Sequence, residues 1–209
     1  MQRAETGRPI SQHPTAGKAN DLDQAAAVSR PLGTFLPART GPRPVTTPGL
    51  PHAQLDQQPE DPAIPAELAR RAFGLPRVAE APSAVSLPGA RALQLSGSAR
   101  GGPPEAFFAG LAGREFAHLH PAPDHSMHMC LPAALARAAC QAGWAEMHPL
   151  VASGRLPATV VMIYAPRNQH DLGIAWRLLR ASHRFATGQA GTGPAGPPPA
   201  RLHDQGDTQ

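Results

Sequence analysis

Arg114-Glu115-Phe116-Ala117-His118-Leu119-His120-Pro121-Ala122-Pro123-Asp124-His125-Ser126-Met127-His128-Met129-Cys130-Leu131 divides into two faces when it is folded back on itself as a β-hairpin. Strand side chains alternate with period two. A turn centred on Pro123 sets His120 opposite Ser126 and His118 opposite His128. Phe116, His118, His120, Ser126, His128 and Cys130 then share one face, and Ala117, Leu119, Met127, Met129 and Leu131 share the other. One face wants a core and the other is loaded with imidazoles. A register slip of one residue would destroy the division, so the pattern argues for this pairing.

The sequence continues in the same style. Pro132 opens a helix whose Leu135, Ala138, Ala139 and Ala142 form a stripe, with Gly143 as its left-handed stop. Thr159 to Tyr164 is β-branched and apolar, as a central strand requires. Asn168 is placed to cap a helix that Asp171 can answer, and Leu172, Ala175, Leu178, Leu179, Ser182 and Phe185 carry its period to Gly188. Upstream, Pro65 to Gly74 reads as a short helix with Leu68 and Ala72 on one face, and Ala90 to Leu95 reads as a strand after the Pro88-Gly89 turn. The fold class is α+β: a small antiparallel sheet with helices packed on one face, the histidine face being left for ligand.

Of 209 residues, 41% are hydrophobic, enough for a core, but 26 prolines and 20 glycines are unevenly spread. Residues 1–30 and 188–209 read as disordered tails, and 31–187 as one domain whose first part, 31–60, is an extended proline-rich segment. The pI near 10.0 invites a nucleic-acid reading. The net charge is only +4, however, Lys18 is the sole lysine and the arginines are dispersed, which argues against nucleic acid as a partner. No apolar run reaches about 18 residues and no signal-peptide pattern opens the chain, so a soluble, cytoplasmic protein with no membrane partner is expected. Cys130 and Cys140 form no disulfide framework.

Three chemistries are open to the histidine face. An HxH pair facing a third histidine, with Asp124 nearby, can ligate a metal; the same imidazoles can move protons without one; and histidines on an exposed face need no special explanation. Trp144 and His148 fall in a connection just past a helix end, Trp144 fitting core packing better than ligand stacking. Arg167, after Tyr164 at the end of the central strand, sits beside a helix N-terminus, where anions bind; its plainer role is an ion pair with Glu115 or Glu146.

Arg114-Glu115, Ala117-His118, His120, Asp124, Ser126-Met127-His128, Gly143-Trp144, His148-Pro149-Leu150 and Tyr164-Ala165-Pro166-Arg167-Asn168 follow one another in the order and spacing of the fungal luciferase-type domain, and Leu36-Pro37-x-Arg39-x-Gly41-x-Arg43-Pro44 resembles the same family's leading motif. The resemblance runs from about Leu36 to Thr187, with His125 and Cys130 as departures. It implies oxygenation of a hydroxylated pyranone derived from hispidin, with molecular oxygen as co-substrate and no metal or organic cofactor. Such chemistry needs a base, an oxyanion-holding cation and a dry pocket. His118, His120 and His128 fit the base, and Arg167, Arg39 or Arg43 the cation. Asp124, Trp144, His148 and Tyr164 complete the substrate-binding set that the resemblance implies. A small-molecule enzyme acting on an enolic or phenolic compound is the expected function; a non-catalytic binding protein using the same His/Arg pocket is the alternative.

Overall fold

The computed structural model describes residues 36–97, 101–108 and 113–189. The expected tails at 1–30 and from 190 onward lie outside them, while Gly188 and Gln189 still close the last helix, Gln189 N–H donating to the Arg184 carbonyl at 2.8 Å. Among the described residues eleven elements follow in order: α1 (Ala63–Phe73), β1 (Val78–Pro82), β2 (Arg91–Leu95), a 3-10 turn (Pro104–Ala106), β3 (Glu115–Leu119), β4 (Met127–Cys130), α2 (Ala133–Gln141), β5 (Ala145–Met147), α3 (Pro149–Ala152), β6 (Val160–Ile163) and α4 (Gln169–Ala186). The strands form one antiparallel sheet in the order β1-β2-β3-β4-β6-β5. The protein is thus α+β, as its sequence pattern predicts.

The hairpin register is the expected one: Ala117 pairs with Met129, His118 with His128 and Leu119 with Met127. Ala117, Leu119, Met127 and Met129 enter the core beneath α4, whose Leu172, Ala175, Leu178 and Leu179 are buried against them. Asn168 caps α4 by accepting the Asp171 N–H at 3.0 Å. Gly143 stops α2 with φ +82°. The sequence reading missed β1, β5 and α3, which are short; β5 has only three residues, too few to show a period.

Two expectations need correction. Phe116 lies in the core, not on the histidine face, because the β2–β3 ladder runs Leu93 with Ala117 and then Gln94 with Glu115. Phe116 is the extra residue of a bulge, and skipping it moves Glu115 onto the histidine side. Nor is that face free. His118, His120 and His128 are at most 4% exposed, because the proline-rich segment packs over them.

That segment is fastened along its length. Trp144 Nε1 donates to the Pro37 carbonyl at 2.6 Å, Arg39 N–H to Ala142 at 2.8 Å, and Arg167 Nη1 to Thr40 at 3.2 Å. Gly41 turns there with φ +86°, and a side chain at this position would be strained. Gln54 is the innermost fastening: its N–H donates to Asp124 Oδ1 at 3.1 Å and its Oε1 accepts the Ala165 N–H at 2.8 Å. Gln54→Ala strands that buried N–H and is expected to cost about 1–3 kcal/mol. Urea denaturation measures it, and a loss below about 0.5 kcal/mol, within the scatter of ordinary surface changes, would contradict this packing.

Candidate functional site

Alternation across three strands aims the polar groups at one another. In β4, His128 and Cys130 oppose Met162 and Val160 of β6 on the side away from the core; Met162 in turn opposes Glu146 of β5. His118 lies beside His128, and the small Ala92 of β2 lies opposite His118. The proline-rich segment adds His52 from above.

The result is a chain of imidazoles anchored by carboxylates. His118 Nδ1 is 2.7 Å from Glu115 Oε1, and His120 Nδ1 is 2.5 Å from Asp124 Oδ2. His118 Nε2 and His120 Nε2 lie 3.0 and 3.1 Å from His128 Nδ1. On the other side of that ring, His128 Nε2 is 2.9 Å from His52 Nδ1, and His52 Nε2 is 2.6 Å from Glu146 Oε1. His148 completes the group, its ring 5.0 Å from that of His128, with its Nδ1 accepting the Leu150 N–H at 3.2 Å.

Burial sets the electrostatics. It pushes His118 below its ordinary value despite the opposing Glu115, and it pushes His128 well below, helped by the neighbouring histidines. His148 is lowered to about 4 for the same reasons, burial first and His52 next. Burial works to raise Glu146, but hydrogen bonds from His52, Thr46 and Tyr164 outweigh it and hold the carboxyl below its usual range. Asp124 behaves likewise, hydrogen bonds from His120 and Ser126 prevailing over burial. Burial, with Glu146 adding to it, pushes the Tyr164 hydroxyl up to about 12. Cys130 is raised by burial, so its thiol is unreactive.

A cavity of about 680 Å³ opens onto the cluster, its floor made by His52, His118, His128 and His148. Its walls are apolar: Leu50, Val85, Leu87, Phe108, Leu150 and Leu156. Arg155 stands at its exposed rim and, among the described residues, its guanidinium has no hydrogen-bond or ion-pair partner. His120 instead borders a second hollow of about 300 Å³.

The residues singled out from sequence therefore divide. His118, His128 and His148 line the main cavity, and His120 joins them through His128. Arg39, Arg43, Asp124, Trp144, Tyr164 and Arg167 line neither its floor nor its walls. Arg39 binds Gln57 Oε1 at 2.9 Å and stacks over Tyr164; Arg43 donates to the Cys140 carbonyl at 2.5 Å. Tyr164 donates to Glu146 at 3.1 Å. Arg167 pairs at 2.6 Å with Asp171, not with Glu115 or Glu146, because the first turn of α4 brings that carboxylate back onto its own approach strand. Sequence reasoning missed His52, Glu115, Glu146 and Arg155. His52 had a signal, a histidine between prolines and glutamines, but its partner His128 is 76 residues away.

Residues 113–182 match the Luciferase domain. Over these residues the chain is similar to the luciferase-domain family. It is 30% identical over 178 residues to a luciferase of Armillaria ostoyae, an alignment covering 75% of this chain and 64% of that protein. A luciferase of Armillaria gallica is 29% identical over 172 residues, covering 73% and 61%. One from Neonothopanus nambi is 32% identical over 76 residues, or 35% of this chain and 28% of that protein. The chain thus spans 64% and 61% of the length of the two Armillaria relatives named here. No solved structure matches it. Within the luciferase-domain match fall all the histidines and carboxylates of the cluster except His52, which the preceding segment supplies.

The buried histidines make stability depend on pH in one direction. His183, on α4 away from the cluster, is held below its ordinary value by burial, with Arg77 and Arg184 adding to the effect and the Pro76 carbonyl opposing it. The unfolded chain then binds more protons than the folded one below about pH 6.5, so stability is full above that value and is lost as pH falls. Urea titrations from pH 7.5 to 4.5 are expected to show the decline, and His183→Gln to make it shallower. An unchanged midpoint across that range would contradict the burial of these rings.

Proposed function

We propose that this chain is an enzyme that oxygenates a small, planar enolic or phenolic molecule, with molecular oxygen as co-substrate. The observation that supports it most is the cavity itself: about 680 Å³, apolar on its walls and imidazole on its floor. That volume lies within the range for small-molecule sites of roughly 300–1,000 Å³, and mostly apolar walls with a few convergent polar groups are their usual make-up. A nucleic acid or a protein segment would call for another kind of surface.

The polarity of the site suits an ionised oxygen. Because Nδ1 of His148 already accepts the Leu150 N–H, its single proton stands on Nε2 when the ring is neutral, and a ring lowered to about 4 is neutral at pH 7. His148 is therefore a donor for a developing oxyanion. Arg155 adds positive charge at the rim, the role that sequence reasoning gave to Arg167, Arg39 or Arg43. His118 and His128 form the floor beneath the bound molecule, with His120 behind them. Apolar walls keep water from the electron-rich intermediate. The relatives named luciferases make an oxidative reaction the natural class, whereas light emission has no separate support in this chain.

Binding and oxygen uptake with a set of 4-hydroxy-2-pyranones and catechols test the proposal. Ligand-dependent oxygen consumption is expected, with Arg155→Ala raising KM about tenfold, the equivalent of roughly 1.4 kcal/mol for one charge-assisted contact. Leu87→Arg, which puts bulk and charge into the wall, should abolish binding. Saturable binding without oxygen uptake would favour the non-catalytic alternative, and absence of binding by every compound would overturn both.

A further inference from the structure

The hydrogen-bond chain contains one positive charge too few. A neutral imidazole has one N–H and one lone pair, and a carboxylate only accepts. Glu115 and Asp124 therefore fix the protons of His118 and His120 on Nδ1, at 2.7 and 2.5 Å, leaving each Nε2 as a lone pair. Glu146 fixes the proton of His52 on Nε2 at 2.6 Å, so His52 Nδ1 is a lone pair that must accept from His128 Nε2, 2.9 Å away. His128 Nδ1 is then a lone pair as well. It faces His118 Nε2 at 3.0 Å and His120 Nε2 at 3.1 Å with no proton among the three. Moving the His128 proton to Nδ1 only relocates the conflict to the 2.9 Å contact with His52.

We propose that His118 Nε2, His120 Nε2 and His128 Nδ1 are the ligands of a divalent first-row transition-metal ion, a site built by the hairpin itself. One ligand nitrogen from each of the three rings lies within 4.8 Å of the other two, and His128 Nδ1 is 3.0 and 3.1 Å from His118 Nε2 and His120 Nε2. Every ligand's other nitrogen is held as a donor: to Glu115, to Asp124, and through His52 to Glu146. Carboxylate-backed imidazoles of this kind are the usual outer shell of a histidine metal site, orienting the ring and raising its basicity. Charge points the same way, since three carboxylates surround neutral rings and a dication offsets more of that charge than a single proton does. All-nitrogen ligation suits Zn²⁺, Co²⁺, Fe²⁺ or Cu²⁺ better than Ca²⁺ or Mg²⁺.

The alternative triad, His52, His128 and His148, fails the same count. His148 Nδ1 is engaged by the Leu150 N–H, and the facing nitrogens of His52 and His128 share a proton. The site therefore sits on the hairpin and not under the proline-rich segment. Two of its ligands, His118 and His128, line the cavity, so a bound ion would meet whatever the cavity takes. This differs from the metal-free chemistry that the family resemblance implies. It does not depend on the identity of the substrate.

Metal content of untagged full-length protein, followed by chelator stripping and titration with Co²⁺ and then Zn²⁺, tests the site. One ion per chain is expected, with visible ligand-field bands for Co²⁺ that Zn²⁺ removes and a thermal midpoint raised by about 5–10 °C at a hundredfold excess over Kd. His120→Asn and His128→Asn should each weaken binding at least about 100-fold, Glu115→Gln about 10- to 100-fold, and His148→Asn should leave the stoichiometry at one. Should the ligand variants not fold, the wild-type Co²⁺ protein still decides. Its proton spectrum should contain three exchangeable, paramagnetically shifted imidazole N–H signals. Stoichiometry near zero, binding indifferent to His120→Asn and His128→Asn, or a Co²⁺ spectrum without those signals would overturn the proposal and leave a proton as the missing charge.

Discussion

Imidazoles can be buried in this sheet because His118, His120 and His52 are each tied to a carboxylate and hold His128 between them, and the fold is arranged to deliver those carboxylates. Asp124 comes from the hairpin turn, where it also accepts the N–H groups of Ser126 and Gln54 at 3.1 Å. Glu115 comes from the bulge in β3, and Glu146 from the edge strand β5. Leaving buried polar groups unpaired would cost a few kcal/mol each, so these pairings fix the rings in place as well as solvate them. The proline-rich segment follows from the same need, because the face is dry only once that segment covers it.

The covering is also what makes a cavity. Its floor is set by the strand residues His118 and His128 together with His52 and His148, and its walls include Leu50 of the proline-rich segment and the loop after β1 with Val85 and Leu87. Leu50 and Val85 remain 61% and 48% exposed, an arrangement with little value for stability and a clear one for receiving an apolar ligand. Rigid imidazoles beneath and adaptable apolar side chains above separate the chemistry from the recognition. No helix among the described residues is long and apolar enough to cross a membrane.

Much of this was legible because it is periodic. The hairpin register, α4 with its Asn168 cap and the β6 strand follow from alternation or helical spacing over enough residues to show it. What escaped was aperiodic or distant. A single bulge exchanged Phe116 for Glu115 on the histidine face, and no property of either residue announces a bulge. Prolines from 37 to 51 mark the leading segment as extended but cannot say that it returns over the sheet. Arg167 illustrates the opposite error: its position by a helix start suggests a free cation, but Asp171 one turn later occupies it. Arg155, in a turn with no pattern, is the arginine that reaches the cavity.

The tautomers of the cluster test this account most directly. Nitrogen NMR of protein labelled with 15N-histidine, stripped of metal and assigned through single His→Gln variants, reports which ring nitrogen carries the proton. The account predicts Nδ1–H for His118 and His120, the minority form for free histidine, with Nε2 unprotonated, and Nε2–H for His52. Finding His118 and His120 as Nε2–H tautomers would mean that Glu115 and Asp124 do not set the rings, and the lone pairs on which the site depends would not converge.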